Sequence, residues 1–339
     1  MRYTKFIPAL IFLSFVSLNA CSLSASSVQT KKSSEIDADN YRKEMRNFIC
    51  TISKTARAKN SDFIVIPQNG QNVAWDDDGG EKADADYFSA ISGCGREDLF
   101  YGVDKNWDMA DDKQTSSSIC KEFVELCDAY KNAGLTVFAT DYCSSKNNIE
   151  DSCKKNKAKG YISFQAVSRN LDVIPSYTPN DENANDVRTL SGAKNFLYLI
   201  NPDHFKNKSE YISALCETNY DALIIDLFFD DEALTKTDVA RLKKKKNGGT
   251  RLVICYMSIG EAEDYRWYWK KSWKAGNPSF LCELNEDWEG NYKVKYWDKE
   301  WQKIICTGSD SYLSKILDCE FDGVYLDIVD AFEYFEEQK

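Results

Sequence analysis

The sequence predicts an α/β protein, a single-domain (β/α)8 barrel over residues 41–339. Three observations carry that prediction. Eight short apolar runs recur along the chain, amphipathic stretches lie between several of them, and acidic residues close run after run. With 339 residues there is room for one barrel of ordinary size.

The first forty residues stand apart from this pattern. Arg2 and Lys5 precede an apolar run from Phe6 to Val16, and Leu18-Asn19-Ala20-Cys21 follows. This is the layout of a secretory signal peptide, too short to span a membrane comfortably. Its end resembles a lipobox, in which lipid is attached to Cys21 and the chain is cut just before it. Residues 1–20 are then a lipoprotein signal and 21–40 a polar, Ser-rich tether. Removing residues 1–20 deletes Arg2 and Lys5 and no acid, which takes the formal charge from −11 to −13. Ser22 after the cysteine points to an outer membrane or cell surface, outside the cytoplasm.

The runs are Asp62–Pro67, Asp98–Asp104, Leu135–Asp141, Gly160–Val167, Asn195–Ile200, Tyr220–Asp226, Arg251–Ser258 and Phe321–Asp327. Most are almost continuously apolar, as parallel strands covered on both faces should be. Helical patterns occupy 117–133, 208–217 and 235–246, with Gly134 and Gly248-Gly249 as stops. A short last helix follows Asp330. An open doubly wound sheet is the alternative, and the lack of GxGxxG or GxxxxGK[ST] weakens its nucleotide-binding form.

Composition narrows the chemistry. An excess of 54 acids over 43 bases repels a phosphate backbone, so nucleic acid is disfavoured as a partner. The one histidine, His204, leaves no room for an HExxH zinc site and argues against a Ser-His-Asp triad. Eleven cysteines follow Cys21; outside the cytoplasm some disulfides are expected, but an odd number cannot all pair internally. Cys120 and Cys127, about 10 Å apart along a helix, are too distant to bridge each other. Cys255 reads as a buried thiol, and no CxxC pair exists.

Carboxylates are left to do the work. Asp104, Asp141, Asp226 and Asp327 each close an apolar run, and Glu261 and Glu263 follow Ser258-Ile259-Gly260. A single acid at a strand end can be a helix cap. Five strands ending alike predict carboxyls from Asp104, Asp141, Asp226, Glu263 and Asp327 around one mouth, at the carboxyl ends of the strands. Such a ring suits glycoside hydrolysis, divalent-metal binding, or both.

Several long blocks are also familiar. Asp221-Ala-Leu-Ile-Ile-Asp226-Leu-Phe-Phe229, Val253-Ile-Cys-Tyr-Met-Ser-Ile-Gly-Glu-Ala-Glu-Asp-Tyr-Arg266, Trp288–Asp298 and Gly323–Asp330 resemble the endo-α-1,4-polygalactosaminidase group, glycoside hydrolase family 114. The likeness is closest to its bacterial and archaeal subgroup of secreted barrel proteins, labelled cysteinyl-tRNA-synthetase-related, a label that the acidic surface does not support. It extends to Ile66–Gly70 and Thr140–Tyr142, and so over roughly residues 45–335. The resemblance implies a TIM-like barrel and endo-hydrolysis of α-1,4-linked galactosamine polymers by a pair of acids, with no cofactor and no metal.

By the same resemblance Asp226 is the nucleophile, and Glu263, Asp264 and Arg266 match an E-D-x-R block. Two positions depart from the fungal branch: Glu261 replaces a small residue, and Asn291 stands where the W-x-G-E acid would be. The acid/base role then falls to Glu263, Glu261 or Asp327. A retaining glycosidase needs one ionised and one protonated carboxyl about 5–5.5 Å apart. Arg266 would hold Asp226 charged while burial raises the partner's pKa, with Glu263 first and Glu261 second as the expected acid. Substrate contacts are expected from Asp141, Tyr142, Tyr256, Arg266, Asn291, Tyr292, Trp297 and Asp330, the aromatic rings serving as a sugar platform. The expected partners are a galactosamine-rich polysaccharide and, through the lipid, a membrane. The competing reading is a surface-anchored carbohydrate-binding protein whose groove no longer hydrolyses.

Overall fold

The computed structural model describes residues 41–78, 80 and 82–338. Residues 1–40, with Cys21 and the expected signal peptide and tether, lie outside the described residues. Eight parallel strands form the centre: β1 (Ile64–Pro67), β2 (Gly93–Glu97), β3 (Thr136–Tyr142), β4 (Ile162–Ala166), β5 (Leu197–Leu199), β6 (Ala222–Ile225), β7 (Leu252–Ser258) and β8 (Gly323–Asp327). Every residue of β1, β6 and β7 is buried, which is why these segments carry no polar alternation.

Hydrogen-bonded order runs β1-β8-β7-β6-β5 in one sheet and β2-β3-β4 in another. A parallel bridge from Gln68 to Gly95 joins β1 to β2, reinforced by Asn69 N–H on the Gly95 carbonyl. Strands consecutive in sequence are therefore neighbours in space, with β8 returning to β1. Among the described residues no ladder joins β4 to β5. The result is a mixed α/β fold around a central parallel sheet.

Seven of the eight runs become the expected strands; the second does not. β2 is Gly93-Cys-Gly-Arg-Glu97, upstream of the apolar run, and Tyr101–Val103 instead pairs antiparallel with Met109–Gln114 in a hairpin. Packing explains the shift. A Cβ on Gly95 would lie 1.9 Å from the Tyr325 hydroxyl, so β2 must be bare where β8 presents a tyrosine. Asp104 consequently closes a hairpin rather than a central strand, its Oδ1 accepting from the N–H groups of Asn106 (2.7 Å) and Asp108 (3.2 Å).

Helices span Ser117–Asn132, Lys208–Cys216 and Lys236–Leu242, close to their expected places, and Ala331–Glu337 follows β8. Thr235 and Asp238 form a reciprocal capping box that fixes the third of these. The helix Tyr41–Arg57 buries Met45, Phe48, Ile49, Ile52 and Ala56, an apolar stripe at helical spacing. Between β4 and β5 the described residues hold only a 3-10 turn at Leu190–Gly192, so the strand–helix alternation lapses there. Between β7 and β8 a three-stranded antiparallel sheet is inserted: Glu261–Glu263, Asn291–Val294 and Leu281–Leu284.

The eleven cysteines from Cys50 to Cys319 are all unbridged, and Cys255 is fully buried in β7. No described helix is long and apolar enough to cross a membrane.

Candidate active site

At the carboxyl ends of the central strands the backbone turns sharply. Asn69, Asp98 and Ile328, directly after or near the ends of β1, β2 and β8, have φ of 56°, 56° and 57°. Isoleucine rarely adopts this left-handed conformation, and such outliers gather where a fold holds side chains for function. Gly70, with φ 51°, lets the β1 turn approach Asp330, whose backbone nitrogen would sit 2.9 Å from any Cβ there.

These turns frame a polar floor. Glu97, the last residue of β2, accepts hydrogen bonds from Gln68 Nε2, Asn69 Nδ2 and the Tyr142 hydroxyl. Tyr198 of β5 donates to Gln68 Oε1 at 2.9 Å, and Tyr256 of β7 donates to Asp327 Oδ2 at 2.7 Å. Five strands and the turn after β1 thus contribute to the floor. Burial, then the nearby Glu97 charge, pushes the Asp327 carboxyl up to about 8. Asp330 rises to about 7, first through burial and then through Glu333, with Arg96 opposing.

Next to the floor lies an ion-paired triad. Arg266 reaches Asp226 Oδ2 at 2.7 Å and Oδ1 at 2.9 Å, and Glu263 Oε2 at 2.6 Å. The three side chains are between 3% and 9% exposed, so the pairs are held in a desolvated setting. Asp226 Oδ1 also accepts from the Phe228 N–H at 2.8 Å, and Tyr265 donates to Glu263 Oε1 at 2.6 Å. The pKa of the Tyr256 hydroxyl, hydrogen-bonded to Asp327, is raised by burial, then by the Asp327 charge and then by that of Glu263.

The two departures noted in the sequence meet here. Asn291 Nδ2 donates to Glu261 Oε2 at 3.1 Å and Asn285 Nδ2 to Oε1 at 2.8 Å. A carboxylate on one strand of the inserted sheet is therefore held by the amide on the next. Burial raises the Glu261 carboxyl, and the two amides oppose that rise.

Arg266 brings Asp226 and Glu263 together, and Asp327 lies with Tyr256 on the floor, whereas Asp104 and Asp141 are engaged elsewhere. Asp141 is fully buried and accepts from Phe100 N–H, Tyr101 N–H, Ser152 Oγ and Asn156 Nδ2, at 2.6 to 3.2 Å. It clamps the hairpin and the helix Lys146–Lys159 to β3, facing away from Tyr142 as strand alternation requires. Of the expected platform, Tyr142 is buried under the Arg169 guanidinium (3.8 Å), and Tyr256 is buried with its hydroxyl on Asp327. Tyr292 packs on Trp269, and Trp297 packs on Tyr41 and Phe335. The exposed rings nearby are instead Tyr265, Trp267 and Trp288.

Glu97, Tyr198 and the Asp98–Arg169 ion pair (2.7 Å) were not visible in the sequence. Burial lifts Asp98 to about 6, and Arg169 opposes the rise. The one available signal was position: Gln68-Asn69, which Glu97 binds, lies inside the familiar Ile66–Gly70 block. Among the described residues no three His, Cys, Asp or Glu side chains are grouped as a metal ion needs.

Residues 178–339 match glycoside-hydrolase family GH114. The matched segment carries Asp226, Glu261, Glu263, Arg266, Asn291, Asp327 and Asp330, whereas Gln68, Glu97 and Tyr142 precede it. An uncharacterized protein of Methanocaldococcus jannaschii is 38% identical over 178 residues, covering 52% of this chain and 49% of that relative. An uncharacterized protein of Thermotoga maritima is 36% identical over 124 residues, 37% of each chain. One of Deinococcus radiodurans is 37% identical over 122 residues, covering 36% of this chain and 37% of its own length. The chain thus spans about half, or less, of the relatives it matches. The likeness to glycoside hydrolases therefore rests on residues 178–339, just under half of the chain.

Proposed function

We propose that the protein is an endo-acting glycoside hydrolase that cuts α-1,4-linked galactosamine-containing polysaccharide with two carboxyls. In this reading the eight strands close as one TIM-like (β/α)8 barrel, supported by their sequential order and the β8–β1–β2 contacts. A second proposal is that Cys21 carries lipid and holds the domain outside the cytoplasm. Loss of detergent-phase partitioning in Cys21→Ser tests it, and equal partitioning of both forms would remove it.

One observation carries the catalytic reading: two strand-end aspartates lie in opposite electrostatic settings. Asp226 is ion-paired to Arg266, while Asp327 is held protonated at neutral pH. Ionised and protonated carboxyls are what a retaining glycosidase needs. Asp327 gives its proton to the glycosidic oxygen as Asp226 attacks the anomeric carbon, forming a glycosyl–enzyme ester. Ionised Asp327 then takes a proton from water, which attacks the same carbon and frees Asp226. Glu263, tied to Arg266 and Tyr265, holds the arginine rather than supplying the proton. Glu261 is held between the amides of Asn285 and Asn291 beside this pair.

The reading is tested by incubating the purified full chain with de-acetylated and acetylated galactosaminogalactan and sizing the products. Internal cleavage is expected, and the nearly isosteric Asp226→Asn should fold yet lose several orders of magnitude in rate. Wild-type cleavage by Asp226→Asn would refute the assignment. Because Asn291 takes the place of a family acid, the wild type binding polymer without cutting it would establish the carbohydrate-binding alternative.

A further inference from the structure

Tyr265 combines features that packing alone does not require. It is 56% exposed, yet its hydroxyl is fixed on Glu263 Oε1 at 2.6 Å. Gly290, at φ +88°, turns the inserted sheet past the ring. A Cβ there would lie 3.6 Å from Tyr265 Cδ1 and 2.8 Å from Asp264 Oδ1, and the Asp264 N–H donates to the Gly290 carbonyl at 2.8 Å. The ring is therefore held by its hydroxyl, with the Arg266 guanidinium 5.3 Å from its centroid on one side and the Gly290 turn beside it, and ring surface is left to solvent. Through Glu263 and Arg266 it is two side chains from Asp226.

An exposed, immobilised ring loses little conformational freedom when something stacks on it. Its surroundings select the ligand. Asp264 and the Arg266-paired Glu263 flank the ring, and the face turned from Arg266 attracts both the C–H face of a pyranose and an ammonium group. A neutral or anionic sugar gains only the first of these. We propose that Tyr265 is the platform of a sugar subsite beside Asp226, stacking one amino-sugar unit of the glycan. The proposal rests on the glycoside-hydrolase reading above and deepens it.

The test uses the full chain with Tyr265→Ala and Tyr265→Phe, on de-acetylated galactosaminogalactan. KM and kcat are measured in the wild-type background, and polymer binding in the Asp226→Asn background. Tyr265→Ala should raise KM and weaken binding roughly tenfold, the worth of one aromatic contact, with a smaller fall in kcat. Tyr265→Phe keeps the ring and should retain most of the affinity. A purely structural role would lower kcat and Tm together in both variants and leave KM in place, which would overturn the subsite. Polymer cleaved by the wild type with KM unmoved in Tyr265→Ala would overturn the subsite alone. A wild type that neither binds nor cuts the polymer would overturn both readings.

Discussion

Asp226 and Asp327 end strands that both flank β7, and their difference is a matter of neighbours. Arg266 faces one; Glu97 and Asp330 face the other. Burial and these charges lift the Asp327 carboxyl from 3.8 to about 8. The folded state therefore binds this proton more tightly than the unfolded chain does. Its contribution to stability is present at acidic pH and is lost as pH rises toward 8. Asp327→Asn should remove that slope, and a Tm difference between variant and wild type that stays constant from pH 5 to 9 would contradict it. Hydrolysis should likewise fall above pH 8. Glu97→Gln, which deletes the neighbouring charge, should move that basic limb to lower pH in a pH–rate profile. Asp226, Glu263 and Arg266 were legible in the sequence because two of them lie in one short block. Asp141 was misread because an acid closing an apolar run does not reveal which face of the strand it takes.

Elements were legible wherever burial on both faces made a strand uniformly apolar, as in β6 and β7. β2 escaped notice for the opposite reason: Gly95 must yield space to Tyr325, so the strand carries no apolar signal. The helix-free connection from β4 to β5 was also invisible, and polar contacts secure it. Asp221, before β6, accepts from Asn183 Nδ2 at 3.0 Å, from the Lys194 N–H at 2.8 Å and from Lys245 Nζ at 2.9 Å. The Lys245 and Asp221 side chains are both fully buried. Removing one partner of such a pair leaves an uncompensated charge and costs about 3–5 kcal/mol. Lys245→Met should lose that much in a denaturant titration. Asp221→Asn in the same chain should recover part of it, because the stranded charge is then gone. A loss of under about 1 kcal/mol in Lys245→Met would mean that the connection is held by other contacts.

At the scale of the whole molecule, the acid excess read from composition and the carboxyls at the strand ends would both favour the proposed cationic polymer. A formal charge of −11 draws a polycation from solution and repels polyanions. At short range Glu97 on the floor and Glu261 on the inserted sheet are each held by amide donors. Composition announced the long-range part of this field, but the short-range part depends on which strand ends face one another, and sequence spacing alone does not give that. The two parts respond differently to salt. At about 10 mM salt the field reaches on the order of 30 Å, and at about 1 M only on the order of 3 Å. KM for de-acetylated galactosaminogalactan should therefore rise several-fold across that range, with kcat changing less. The acetylated polymer, which lacks the cationic charge, should show a much flatter response. Parallel salt curves for the two polymers would mean that charge does not gather the substrate, and any preference for free amines would then have to come from direct contacts.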